Sequence, residues 1–164
     1  MAEILKGKDV VAALKEKMIA DVEALKARGI VPTLAIVRVG ERGDDIAYEG
    51  GATKRCAGVG VEVKNIVLPA DATQEELIAE IEKINKDPSI HGCLLFRPLP
   101  KHMDDDTVRR ALAPEKDVDG ITDISMAGVY SGSNLGFPPC TPKACMEILD
   151  FYNIDVTGKN VVVI

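Results

Sequence analysis

Three segments of this chain carry residues whose types and spacing could build a site. Tyr48 and Lys54 lie six residues apart on a helical pattern. A lysine near a helix start and inside a cleft loses hydration, which disfavours its ammonium form and lets the amine act as general acid or base. A lysine that simply points at water from an amphipathic helix is the commoner arrangement. The run Glu115-Lys-Asp-Val-Asp-Gly120 sets Asp117 and Asp119 on either side of one apolar residue. Such a run is either a solvated acidic turn or a turn that aims one carboxylate inward, at donors on a heterocycle. A third segment, Arg97-Pro98-Leu99-Pro100, has two prolines that would hold a strand exit rigid beside a planar ligand, or would only end the strand. His91 and His102 are isolated, and Cys56, Cys93, Cys140 and Cys145 form no C-x-x-C pair. No metal site is expected, and the cysteines read as reduced, partly buried thiols.

These residues need a frame, and the hydrophobic pattern supplies one. Val10, Val11, Leu14, Met18, Val22 and Leu25 recur at helical spacing between Gly7 and Gly29, an amphipathic helix. Pro32 to Val39 reads as a buried strand, Gly40 to Asp45 as the loop that ends it, and about Ile46 to Ala57 as a second helix. The alternation repeats with a strand from Val61 to Leu68 and a helix opened by the capping-box pattern Thr73-Gln-Glu-Glu76, running through Ile84. Ile90 to Phe96 is a third strand, Asp104 to Ala113 a short helix and Pro114 to Gly120 a loop. Thr141 as N-cap with Pro142 at the first helical position starts a further helix, and Gly158 to Ile164 reads as a last strand. In a dinucleotide-binding fold a glycine-rich turn would follow that strand. The expected fold is therefore α/β, a mostly parallel sheet flanked by helices, ending in the first strand of a truncated dinucleotide-binding domain. Ligands collect at the carboxyl ends of parallel strands, so the candidate loops are 40–48, 97–100 and 117–120.

Composition bounds the partners. At 164 residues the chain is one domain, or one and a fragment. Hydrophobic residues are 46% and aromatic ones 4% with no Trp, so the core must be aliphatic, as buried parallel strands require. A net charge of −6 argues against nucleic acid and against an anionic membrane surface. The first residues have no apolar segment of the signal-peptide kind, and no run approaches the roughly 18 apolar residues of a spanning helix. The expectation is a soluble cytoplasmic protein.

The order of motifs resembles a known family. Pro32-Thr-Leu-Ala-Ile-Val-Arg-Val-Gly40, Tyr48 with Lys54, His91-Gly92 leading to Pro98-Leu99-Pro100, Pro114-Glu-Lys-Asp-Val-Asp-Gly120 and Pro139-Cys-Thr-Pro142 are similar, in that order, to the catalytic domain of the bifunctional methylenetetrahydrofolate dehydrogenase/cyclohydrolases. The resemblance implies that residues 1–157 form a tetrahydrofolate-binding domain and that 158–164 begin a Rossmann domain binding NADP or NAD. It further implies oxidation of 5,10-methylenetetrahydrofolate to the methenyl form and hydrolysis to 10-formyltetrahydrofolate, in one-carbon metabolism serving purine biosynthesis. A homodimer is implied for the full-length enzyme. By the same resemblance Lys54 moves protons during water attack, Tyr48 stacks near the pterin and Asp119 binds the pterin nitrogens. Phe96, Arg97, Pro98 and Leu99 line the substrate.

Two positions depart from the family's pattern. Its tyrosine and lysine stand four apart, where this chain has Ala52, and the glutamine of its strand exit is replaced within Leu95-Phe96-Arg97. Three readings stay open. Lys54 takes the lysine's place, with Gly50-Gly51 letting the helix bend or start late; or one of the two activities is lost; or the domain is a non-catalytic folate-binding or dimerisation module.

Overall fold

A computed structural model describes residues 3–163. Its centre is a three-stranded, fully parallel sheet in the order β2-β1-β3, with β1 at Thr33–Val39, β2 at Glu62–Leu68 and β3 at Gly92–Leu95. Six α-helices surround it: α1 (Gly7–Ala27), α2 (Gly43–Ala57), α3 (Gln74–Lys86), α4 (Asp105–Ala111), α5 (Asp123–Ser131) and α6 (Cys140–Phe151). A 3₁₀ turn, Pro114–Lys116, lies between α4 and α5. The α/β architecture expected from the alternating pattern is the one observed.

Alternation along β1 divides its side chains between two faces. Ala35, Val37 and Val39 join Cys93 and Leu95 against Leu77, Ile81 and Ile84 of α3 and Val108 of α4, forming the aliphatic core. The next residues in register, Ile36 and Arg38, face the α2 side. Arg38 is nearly buried there, and its Nε donates to Glu49 Oε2 of α2 at 2.7 Å while Nη1 donates to the Gly40 carbonyl. This clasp ties the middle of α2 to the carboxyl-terminal part of β1.

Local signals explain the element ends. Thr73 and Glu76 make the reciprocal capping box expected for α3. The second helix begins at Gly43 rather than near Ile46, so Asp44 and Asp45 occupy its first turn, where carboxylates oppose the positive helix end. The last helix starts at Cys140, with Pro139 preceding it, so Thr141 is inside the helix and is not its cap. The short helix α5 has no counterpart in the periodicity, because Gly128 interrupts its apolar pattern. Its ends were nonetheless encoded: Thr122 accepts from Ser125 N, and Gly132 closes it in the left-handed conformation at φ 65°. The expected strand from Gly158 is not formed. Residues 159–163 are exposed and pair with no strand of the sheet, so nothing satisfies their ladder groups but solvent; Ile164 lies outside the described residues.

Candidate functional site

The cleft lies at the carboxyl end of the parallel strands, where β1 and β3 deliver their following loops. It has a volume of about 340 Å3 and is lined by Asp44, Asp45 and Tyr48 of α2, by Leu94 to Arg97 at the exit of β3, and by Asp119 and Ile121. Tyr48 and Phe96 meet edge to face, with centroids 5.5 Å apart at 75°. Tyr48 remains 65% exposed, leaving ring surface for a planar ligand. Arg97 stands on the same wall, but its guanidinium is forked onto Asp105, with Nε to Oδ1 at 2.7 Å and Nη2 to Oδ2. Pro98 is exposed beyond the cis Arg97–Pro98 bond, and Leu99 packs against the core. Of the four residues expected to line the substrate, Phe96 and Arg97 line this cleft, and Pro98 and Leu99 stand outside its lining.

The two aspartates of the acidic turn have different situations. Asp117 is fully buried and accepts hydrogen bonds from Ile121 N (3.0 Å), Thr122 N (2.8 Å) and Ser125 Oγ (2.7 Å). It ties the turn to α5 and, through a parallel bridge with Cys93, to the sheet edge. Lys116 anchors the other side of the turn by donating to the Asp87 carbonyl at 2.6 Å and to Ile84 O. Gly120 follows at φ 66°, where an added Cβ would stand 2.6 Å from Phe137 O and Pro139 N. Asp117 thus holds the turn in one shape, and that shape sets Asp119 in the cleft wall. Cys140 approaches from α6, donating to Val118 O at 3.3 Å; burial first, and then Asp119, pushes its thiol pKa up.

Lys54 does not join this group. The helix α2 runs unbroken through Gly50 and Gly51, so a residue six beyond Tyr48 points roughly 120° around the axis from it. Lys54 is exposed and lines a different hollow, of about 790 Å3, together with Val11, Leu14, Lys15 and Met18 of α1. The expectation that a late or bent helix start would bring this amine to Tyr48 and Asp119 is corrected by that regular geometry. Ala52, one turn past Tyr48, occupies the angular position between Tyr48 and Asp45. Asp44 and Asp45 are not singled out by sequence, because acidic residues after a strand commonly mark a solvated turn; the signal was their place in the loop leaving β1. His91 accepts from Thr33 N at 3.2 Å and His102 pairs with the Ala72 carbonyl at 2.9 Å, both structural contacts outside the cleft. Among the described residues no group of three His, Cys, Asp or Glu is placed to hold a metal, and no helix is long and apolar enough to cross a membrane.

The family model described as "Tetrahydrofolate dehydrogenase/cyclohydrolase, catalytic domain" matches residues 5–119, the stretch that carries every cleft residue except Ile121. The chain belongs to this family. It is 49% identical over 164 residues to the "Bifunctional protein FolD" of Alkaliphilus oremlandii, spanning all of this chain and 58% of that relative. Among solved structures, the bifunctional FolD methylenetetrahydrofolate dehydrogenase/cyclohydrolase of Campylobacter jejuni matches with a TM-score of 0.91 and 35% identity, over 94% of this chain and 55% of that one. The Trypanosoma brucei dehydrogenase-cyclohydrolase (FolD), solved with NADP cofactor and inhibitor, matches with a TM-score of 0.86 at 28% identity, over 94% and 53%. The chain thus spans little more than half the length of these dehydrogenase/cyclohydrolases. Among its described residues no strand leads through a G-x-G-x-x-G turn into a helix, β1 entering α2 through Gly40 and Gly43 alone, so they do not fit a dinucleotide pyrophosphate.

Proposed function

We propose that this chain supplies the folate site of a methylenetetrahydrofolate dehydrogenase/cyclohydrolase, the enzyme that oxidises 5,10-methylenetetrahydrofolate and hydrolyses the methenyl product to 10-formyltetrahydrofolate. The observation that carries this reading is the convergence of Tyr48, Phe96 and Asp119, from three separate segments, on one cleft at the carboxyl end of the sheet. Asp119 accepts from the adjacent ring N–H and amino donors of the pterin as a bidentate partner. Tyr48 and Phe96 cover the ring system, and Arg97, held by Asp105, shapes the wall. NADP or NAD is bound by a Rossmann domain outside the described residues, in a homodimeric, cytoplasmic enzyme of one-carbon metabolism that serves purine biosynthesis, with no nucleic acid or membrane partner.

A second reading narrows the first to a single activity, and the position of Lys54 favours it. Water attack on the methenyl bridge needs a group that takes a proton. With Lys54 turned toward α1, no lysine among the described residues lines the cleft, and the oxidation is retained without the hydrolysis. Calorimetric titration of tetrahydrofolate into the chain tests the common core of both readings. Saturable heat that weakens in Asp119→Asn and Tyr48→Ala supports it; no saturable heat for the unaltered chain overturns it.

A further inference from the structure

Charge in the cleft is one-sided. Asp44, Asp45 and Asp119 line it, and the one cation of the lining, Arg97, is already forked onto Asp105. Asp44 is likewise engaged, receiving Arg42 Nη2 at 2.6 Å, and that pairing holds the Asp44 carboxyl below the usual carboxylate range. Asp45 is different. Its carboxylate stands 3.7 Å from Arg42 Nε, longer than a hydrogen bond, and its side chain is 17% exposed. Arg42 therefore shares one positive charge between Asp44, held closely, and Asp45, held more loosely, and with Asp119 committed to the pterin this pair keeps one net negative charge beside the cleft.

We infer that Asp45 makes this cleft select the cationic 5,10-methenyl form of the one-carbon folate over the neutral forms. The inference rests on the folate reading above. The 5,10-methenyl form carries a positive charge delocalised over the N–C–N bridge, whereas 5-formyltetrahydrofolate, with the same pterin and tail, has a neutral one-carbon group. A hollow of about 340 Å3 is comparable in width to the screening length of about 8 Å at physiological salt, so a cation bound on the Asp45 side of it feels that carboxylate. Partial burial strengthens that attraction relative to open water, and the faces of Tyr48 and Phe96 favour the same sign of charge.

The test is a pair of titrations at low salt, in mildly acidic buffer where hydroxide is scarce and the amidinium persists. 5,10-Methenyltetrahydrofolate and 5-formyltetrahydrofolate are each titrated into the chain, into Asp45→Asn and into Asp45→Ser, with circular dichroism confirming that both variants are folded. The unaltered chain binds the cation at least about fivefold tighter; both variants lose about that factor for the cation and stay within about twofold for the neutral folate. Added salt erodes the preference only where Asp45 is present. Equal affinities for the two folates in the unaltered chain, or equal losses for both in the variants, overturn the inference while leaving the folate site standing. Absence of binding by either folate overturns the folate site itself, and the inference with it.

Discussion

Asp117→Asn separates structural from ligand-facing carboxylates in the acidic turn. The native carboxylate is 0% exposed and accepts three hydrogen bonds, from Ile121 N, Thr122 N and Ser125 Oγ at 3.0, 2.8 and 2.7 Å. Asparagine keeps the volume but offers a single acceptor oxygen, and its amide N–H groups must face a donor. Hydrogen bonds to a charged acceptor contribute roughly 1.5–3 kcal/mol each, and a buried donor left unpaired costs about 1–3 kcal/mol, so the substitution should cost about 3–5 kcal/mol. Urea unfolding followed by far-ultraviolet circular dichroism reads this out. With a denaturant slope of about 2 kcal/mol per molar, the midpoint falls by about 2 M. Asp119→Asn is the control: its carboxylate is half-buried in the cleft wall, and the cost should stay below about 1 kcal/mol. A midpoint for Asp117→Asn within about 0.5 M of the unaltered chain, or an equal loss for Asp119→Asn, would refute the division of labour between the two residues.

Lys54→Ala should leave folate affinity within about twofold, because the amine lies on the α1 side of α2; a loss beyond tenfold, measured by calorimetry, contradicts that placement. Thiol labelling should proceed at Cys140 and Cys145, both exposed, and reach Cys93 only on unfolding. Burial, reinforced by Asp117, pushes the Cys93 thiol up to about 12. Since that value is raised by folding, its contribution to stability is complete below the ordinary thiol value of 9.0 and is lost as pH rises toward the native one. Melting curves should therefore fall on the alkaline side in a way that Cys93→Ala removes. Gly120→Ala should unfold or rearrange the turn, since the new methyl group meets backbone atoms at 2.6 Å in a left-handed conformation; a melting temperature unchanged within a degree or two argues against that turn.

Much of the architecture was legible because each signal was local and redundant. The strand at 33–39 is marked by the apolar run Leu34 to Val37, and α3 by a capping box followed by helical spacing, so pattern and propensity agreed. What was not legible depended on contacts distant in sequence. The clasp between Arg38 and Glu49 seats α2, and neither residue reveals from sequence that it is buried. Asp119 was distinguishable from Asp117 only through the family resemblance, since the hydrogen bonds to Asp117 come from the segment Ile121-Thr122 and from the first turn of α5, a helix whose periodicity is weak. The error at Lys54 has a geometric origin: adjacent glycines permit a bend but do not impose one, and α2 stays regular through them. The valines near 161 have strong β propensity, but propensity alone does not hold a strand that pairs with no other.

The most direct measurement is a crystal structure of this chain soaked with a tetrahydrofolate analogue. The pterin should be found within hydrogen-bonding distance of the Asp119 carboxylate and against the Tyr48 ring, with Lys54 Nζ touching no part of it. A ligand seated between α1 and α2 beside Lys54, with the Asp119 wall empty, would contradict the assignment of the site.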